Sequence, residues 1–360
     1  MLLRIVFLLV SMVLGIGNSL AASSGVSIDR MVYRGYPDCV RIQNQRTVVV
    51  ICPAAGGRVL EYSLDGRNMM GLLPRDRGDL ANENTGKEKS SNGQKRTMSA
   101  GRFDIGPEKR ISRGQVLWSG QWETKILDDQ SVQLTSGFDR LSGTRIVRTF
   151  QLAEKDSYLR CTQQIRNESH RTIDVCHWSR TFATGGGIAV VPKSPLRRFP
   201  LGVVEYAGGN TIKFCPDDPA IDVRENAVLV SNAPQNPKLG FDSYAGWIAY
   251  AAPNNCLFIK RYTADRGRHY NEVAGLTASV WYPSNINVVE LEPIGPAEFL
   301  RPGESASFTE SWYLREFPFP AKPSELDVDA MMETFGLTTD DTSTEEALDW
   351  PSKLPSEGSP

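Results

Sequence analysis

Apolar and polar positions alternate over short runs along most of this chain, and Gly, Pro, Asn and Asp interrupt them. The clearest case is Val288 to Glu292, where Val289 and Leu291 interleave with Glu290 and Glu292. A strand sends successive side chains to opposite faces, so both carboxylates are predicted to share one face. An irregular loop follows, and Arg301-Pro-Gly-Glu304 turns the chain into a second strand. There Phe308, Glu310, Trp312 and Leu314 fall on one face, with Ser307, Thr309, Ser311 and Tyr313 on the other. The same reading predicts early strands over 47–51, 58–64, 122–126, 132–136, 145–152, 158–165 and 172–181. Later ones are predicted over 203–206, 227–230, 247–251, 257–262, 278–282, 288–292 and 305–314. Long helical periodicity is absent between them. Many strands without intervening helices predict an all-β protein, a large antiparallel sandwich spanning residues 26–318.

Three segments break the pattern. Met1-Leu-Leu-Arg4, an apolar core from Ile5 to Ile16 and Ser19-Leu-Ala21 read as a cleaved secretory signal over residues 1–21. The apolar core is too short to span a bilayer comfortably, and no later apolar run is long enough. The expected location is therefore outside the cytoplasm, periplasmic or secreted, with no membrane span after cleavage. Pro74–Arg96 is polar and rich in Gly, Asn and Ser, and reads as a long surface loop. Residues 319–360 read as an acidic, largely disordered tail, with one short helix over 325–335.

Composition narrows the function classes. The chain has 360 residues and a formal net charge of −2, so no basic face for nucleic acid is indicated. Small neutral polar ligands remain open. The six cysteines lie beyond the signal, and export makes disulfides possible. Cys39 and Cys52 flank one expected hairpin; Cys161 and Cys176 flank another, turning at Asn167-Glu-Ser-His170. Buried free thiols are the alternative. Cys-x-x-Cys is absent, so a cysteine zinc site is not expected. No other metal and no cofactor is expected. The sequence leaves the oligomeric state open.

Polar clusters supply the candidate chemistry. Two neighbouring acids repel, which raises one pKa and suits proton transfer, so Glu290 and Glu292 are candidates. Gly101-Arg-Phe-Asp-Ile-Gly-Pro-Glu-Lys109 reads as a loop whose Arg102, Asp104 and Glu108 suit sugar hydroxyls. In Asp174–Phe182, Trp178 and Arg180 share a strand face that suits stacking on a sugar ring. His177 lies on the other face of that strand and is a candidate acid near neutral pH. Lys238, in a polar turn feeding a strand, and His269, in a basic loop, complete the set.

Taken in order, these pieces resemble the galactose mutarotase-like superfamily, near exported relatives of aldose 1-epimerase. The resemblance spans residues 26–315 and implies a β-supersandwich that binds carbohydrate on a concave sheet. Its epimerases open and close a hemiacetal ring with a Glu base and a His acid. The family's His follows an Asn-x-Ser turn, which resembles Asn167-Glu-Ser169 leading to His177. Its base Glu follows a Leu in a late strand, which resembles Leu291-Glu292 beside Glu290. The chain departs from the epimerases in Trp178-Ser-Arg180, where aromatic residues usually follow the His, and in lacking a recognisable second sugar-binding His. Three functions follow as expectations: a sugar-ring isomerase, a noncatalytic carbohydrate-binding protein, or a polysaccharide lyase or hydrolase component.

Overall fold

The computed structural model describes residues 25–74, 76–78, 99–112, 114–208 and 211–342. The expected signal, most of the loop expected over 74–96, and the tail beyond 342 lie outside the described residues.

Nearly all regular structure is antiparallel β, in two sheets. The first has twelve strands. Its path runs Ser27–Tyr33, Tyr36–Gln43, Thr47–Cys52, Arg58–Leu64, Gly101–Gly106, Ile173–Thr184, Val288–Leu300, Ala278–Trp281, Lys238–Phe241, Val203–Tyr206 and Ile212–Lys213. The short strand Arg67–Asn68 pairs alongside Arg58–Leu64. The second sheet has ten strands. They are ordered Ile221–Val223, Ala227–Val230, Ile188–Pro192, Trp247–Ala252, Cys256–Tyr262, Ser305–Glu316, Leu159–Asn167, Thr144–Leu152, Ser131–Thr135 and Glu123–Ile126.

The main core lies between the sheets. The first sheet contributes Phe103, Ile105, Val175, Leu239, Phe241, Val280, Val289 and Leu291. The second contributes Ile146, Phe150, Ile165, Phe258, Phe308, Trp312 and Leu314. Period-2 alternation thus sorts each central strand into an inner face, toward the partner sheet, and an outer face.

Three departures from the sequence expectations matter for the site. Residues 101–106 form a central strand rather than a loop. Their alternation of Arg102 and Asp104 with Phe103 and Ile105 is what a half-covered strand requires, although it is brief and bounded by Gly. The strand beginning at Val288 runs on to Leu300 through the region read as irregular loop. It absorbs an extra residue near Gly295-Pro296, where the pairing changes from Trp178↔Ile294 to Cys176↔Ala297. Such a bulge keeps a proline inside a central strand without spending a ladder bond there.

The third departure concerns the cysteines. Cys161 lies in the second sheet and Cys176 in the first, so the connection at Asn167–His170 crosses between sheets instead of closing a hairpin. Cys39 and Cys52 do face each other. They continue the Val40↔Ile51 pairing as two buried free thiols, and Cys39 donates to the Tyr36 carbonyl at 3.7 Å.

The chain past Pro318 is packed as far as it is described. A helix over Val328–Thr334, capped by the Asp327 side chain on the Ala330 N–H, brings Leu326, Val328, Met331 and Met332 against Trp247, Ile259 and Tyr313. The Trp247 indole N–H donates to the Thr338 carbonyl at 2.8 Å. The structured unit therefore runs past the boundary expected at residue 318.

Candidate functional site

The polar candidates converge on the outer face of the first sheet. Pairing across the strands aligns Phe182, Glu290, Trp281 and Lys238 in one row, because directly opposed residues share a face. One step along the strands, Arg102 opposes Arg180. One further step, Asp104 opposes Trp178. Glu292 opposes Ser279 on the neighbouring strand.

Glu292 is the centre of this face. It is fully buried. Its Oε2 accepts from the Trp178 indole N–H at 2.7 Å and from Lys238 Nζ at 3.1 Å. Among the described residues no nitrogen or hydroxyl donor reaches its Oε1, and the neighbouring Glu290 carboxyl is within hydrogen-bonding reach of Glu292. Burial, followed by the nearby Glu290 carboxylate, raises its pKa to about 7, against the opposing pull of Lys238 and Arg180. Glu290 is also fully buried, but it is gripped by Arg180 through Nε and Nη2, the latter at 3.1 Å. A paired carboxylate is committed to its partner, whereas a strained, half-paired one is available for proton transfer.

Lys238 sits over the Trp178 ring, 4.6 Å from its centroid, and reaches Glu108 Oε2 at 3.2 Å as well as Glu292. Burial works against the ammonium. The Glu292 and Glu108 carboxylates outweigh it and hold its pKa above the ordinary lysine value. Arg180 lies over both the Trp178 and Trp118 rings, and its Nη1 is 3.7 Å from Asp104 Oδ2. Arg102 donates to the Ser99 and Trp118 carbonyls and stacks on the Trp118 ring at 4.2 Å. Burial, with the like charges of Arg58 and Arg180, pushes its pKa well below the usual arginine value.

Two members were not read from the sequence. Glu272, buried, accepts the Glu108 backbone N–H at 2.8 Å, and burial raises its pKa. Gly106 makes this approach possible: a Cβ there would lie 2.6 Å from Cys176 Sγ and 3.3 Å from Glu272 Oε2. Tyr206 borders Lys238, with Nζ 6.0 Å from its ring centroid. Glu272 had no local signal, since it follows a loop distant in sequence. Tyr206 ended a predicted strand whose faces could not be assigned without its neighbours.

The structure does not bring the histidine candidates to this face. His177 points inward, stacked on Phe308 and tilted against Phe103, each 5.7 Å away between centroids. It is fully buried, and burial lowers its pKa to about 4. At neutral pH it is an uncharged core residue on the opposite side of the strand from Glu292. His269 is exposed in the loop before Glu272, and among the described residues its backbone carbonyl accepts from the Ala297 N–H. Trp178, Arg180, Arg102, Asp104, Glu108, Lys238, Glu290 and Glu292 are brought together; His177 and His269 are not. Among the described residues no group of three or more His, Cys, Asp or Glu side chains is arranged to hold a metal ion.

Beneath the face lies a second ion pair, in the core between the sheets. Lys260 Nζ and Glu310 Oε2 are 3.0 Å apart and fully buried. Lys260 also donates to Ser179 Oγ, Thr181 Oγ1 and the Leu291 carbonyl. Glu310 also accepts from the Trp312 indole at 2.8 Å and from Gln163 at 3.3 Å. Burial opposes its ionisation, yet Lys260 and hydrogen bonds from Ser179 and Trp312 hold its pKa below the ordinary value.

No protein-family model matches the chain, and no curated protein matches it in sequence. Solved structures do match in fold. A galactose mutarotase-like protein from Lactobacillus casei superposes with a TM-score of 0.52 at 10% identity, covering 77% of this chain and 100% of that one. A protein from Synechocystis gives 0.52 at 13% identity, covering 80% and 99%. A galactose mutarotase related enzyme from Lactobacillus acidophilus gives 0.51 at 10% identity, covering 79% and 100%. At such low identity the likeness carries architecture alone. Two large antiparallel sheets, matched over four fifths of the chain, give this protein the galactose mutarotase-like β-sandwich fold.

Proposed function

We propose that the outer face of the first sheet binds a sugar and catalyses ring opening and closure at its anomeric carbon, as an aldose 1-epimerase-like isomerase. One observation carries the reading. Glu292 is a fully buried carboxyl with an unused oxygen and a pKa near 7, set among Trp178, Arg180 and Lys238. A base poised near neutral pH is suited to proton transfer, and a Trp–Arg surface suits the sugar. Mutarotase-related proteins share the fold, which agrees with the proposal.

The chemistry uses two groups. The Glu292 carboxylate takes the proton of the anomeric hydroxyl. The bond between the anomeric carbon and the ring oxygen breaks as the carbonyl forms. The Lys238 ammonium gives a proton to the ring oxygen, the role the family assigns to a histidine. Rotation of the aldehyde and reversal of the two transfers yield the other anomer, with both residues restored. Lys238 contacts Glu292 directly, so substrate entry must part the pair.

Polarimetry on anomerically pure aldoses tests this. Glu292→Gln is expected to abolish acceleration while the fold survives. Lys238→Met is expected to cost about 10²–10⁴ in rate, the usual range for a lost proton donor. Because the base acts deprotonated, the rate should rise with pH and reach half its plateau near 7. The Lys238–Glu292 contact and the absence of any histidine from the face favour a second reading, a noncatalytic sugar-binding protein. Calorimetric binding of a sugar that the wild type never equilibrates faster than buffer would establish that reading instead. The sequence at 1–21 supports export as part of the proposal, and N-terminal sequencing of the native protein starting near Ala22 is the matching test.

A further inference from the structure

Trp281 stands out in the row that carries the site. It opposes Glu290 on one side and Lys238 on the other, so it shares their face. Phe182 and Glu290 in that row are fully buried, whereas Trp281 is only half-buried. Its ring meets Phe182 edge-on, at 88° and 6.3 Å between centroids. Ile286 packs with it against Leu73, Phe182 and Val288.

The chain then leaves the sheet through a turn that lines an open trough of about 570 Å³. Tyr282 forms part of its wall, with the hydroxyl committed to the Gly186 N–H and the Gly187 carbonyl. The remaining polar groups are Asn232, Ser284, Asn285 and Asn287, all exposed. None of their side chains donates a hydrogen bond within the described residues, and no charged residue lines the trough. This differs sharply from the ionised cluster around Glu292. Uncommitted amides and a hydroxyl in the turn that follows Trp281 are groups that pair with neutral hydroxyls, and a half-buried indole is a group that stacks on a pyranose. A charge-free lining offers nothing to offset the cost of desolvating a uronate.

We infer that the ligand is a neutral oligosaccharide. Its terminal sugar lies at Glu292, and the following residues pass Trp281 into the trough at Asn285 and Asn287. This rests on the sugar-site reading and adds the substrate class to it.

Titration calorimetry on the purified full chain decides the point. The probes are glucose and galactose, the neutral tetrasaccharides maltotetraose, cellotetraose and β-1,4-galactotetraose, and tetragalacturonate as the acidic control. At least one neutral tetrasaccharide should bind about tenfold more tightly than its own monosaccharide, the gain from roughly one further stacking and hydrogen-bonding subsite. The Asn285→Ala, Asn287→Ala double variant should lose that gain and keep monosaccharide affinity within about twofold. Both substitutions are at exposed side chains, so folding is not at stake. Monosaccharide binding without a tetrasaccharide gain would overturn this inference and leave the sugar site standing. So would a gain that survives the double variant, or stronger binding of tetragalacturonate. Binding of no probe at all would overturn both.

Discussion

The two faces of the strand Ile173–Thr184 each meet a buried ion pair, and the two pairs differ in how completely their groups are satisfied. Inward, Glu310 accepts from Lys260, Trp312 and Gln163, and Lys260 reaches Ser179, Thr181 and a carbonyl besides. Outward, Glu292 shares Lys238 with Glu108, receives one indole N–H, and keeps an oxygen without a donor. A satisfied carboxylate stays ionised and holds two sheets together. An under-satisfied one sits near its own titration point, where it can give and take a proton. The same residue types thus form a complete hydrogen-bond set on one side of a strand and an incomplete one on the other, and the incomplete side is where the proposed chemistry falls.

The sharpest way to break this comparison is to remove one partner from each pair. Glu310→Gln strands the fully buried Lys260 amine, whose pKa burial already lowers, without its counter-ion, and should cost about 3–5 kcal/mol in urea-unfolding free energy. Adding Lys260→Met to that variant should recover most of the loss, since an uncharged pair no longer strands a charge. Glu292→Gln should leave the unfolding free energy at neutral pH within about 1 kcal/mol of wild type while removing the proposed catalysis, because it removes a carboxyl that burial already disfavours. Equal destabilisation by Glu310→Gln and Glu292→Gln would erase the distinction.

The pH dependence sharpens it next. His177, inward, has its pKa lowered to about 4 from 6.5, so the unfolded chain binds the extra proton. Its contribution is present above pH 6.5 and is lost as pH falls toward 4. Glu292, outward, has its pKa raised to about 7 from 4.5, so the folded chain binds the extra proton. Its contribution is present below pH 4.5 and is lost as pH rises through 7. Each is worth up to about 3 kcal/mol, and across pH 4.5–6.5 the two slopes oppose. Urea unfolding of His177→Gln should therefore show stability falling with pH in that window, and Glu292→Gln should show it rising. Parallel slopes in the two variants would contradict the placement of one of the groups.

The cysteines give the smallest effect. Oxidation by a glutathione redox buffer during refolding should join Cys39 to Cys52 and add about 2–3 kcal/mol to stability, for a loop of this size. Peptide mapping without reductant should yield that cross-link and no Cys161–Cys176 link, whose partners lie in separate sheets.

Much of the architecture was legible in the chain. Period-2 alternation at 288–292 and 305–314 placed Glu290 with Glu292 and Phe308 with Trp312 on the correct shared faces, because side-chain direction in a strand is a local property. The strand at 101–106 was missed because four alternating residues between glycines look the same in a loop. The hairpin expected at Asn167–His170 was wrong in partner, since a turn residue signals a change of direction and not the sheet that receives the next strand. His177 shows the same limit. The family resemblance made it an acid, while the alternation already put it opposite Trp178 and Arg180.

The sequence by itself determined that this protein is built of strands, where most of them lie, and which side chains share a strand face. Those follow from backbone geometry and from the spacing of apolar residues. Only the tertiary structure decided which face is covered by the other sheet. It brought Lys238 to Glu292 and Glu272 to Glu108 across strands far apart in the chain, and left the Glu292 carboxyl short of donors. Burial and hydrogen-bond satisfaction depend on neighbours supplied by distant segments, and those two quantities set the pKa values on which the proposed chemistry rests.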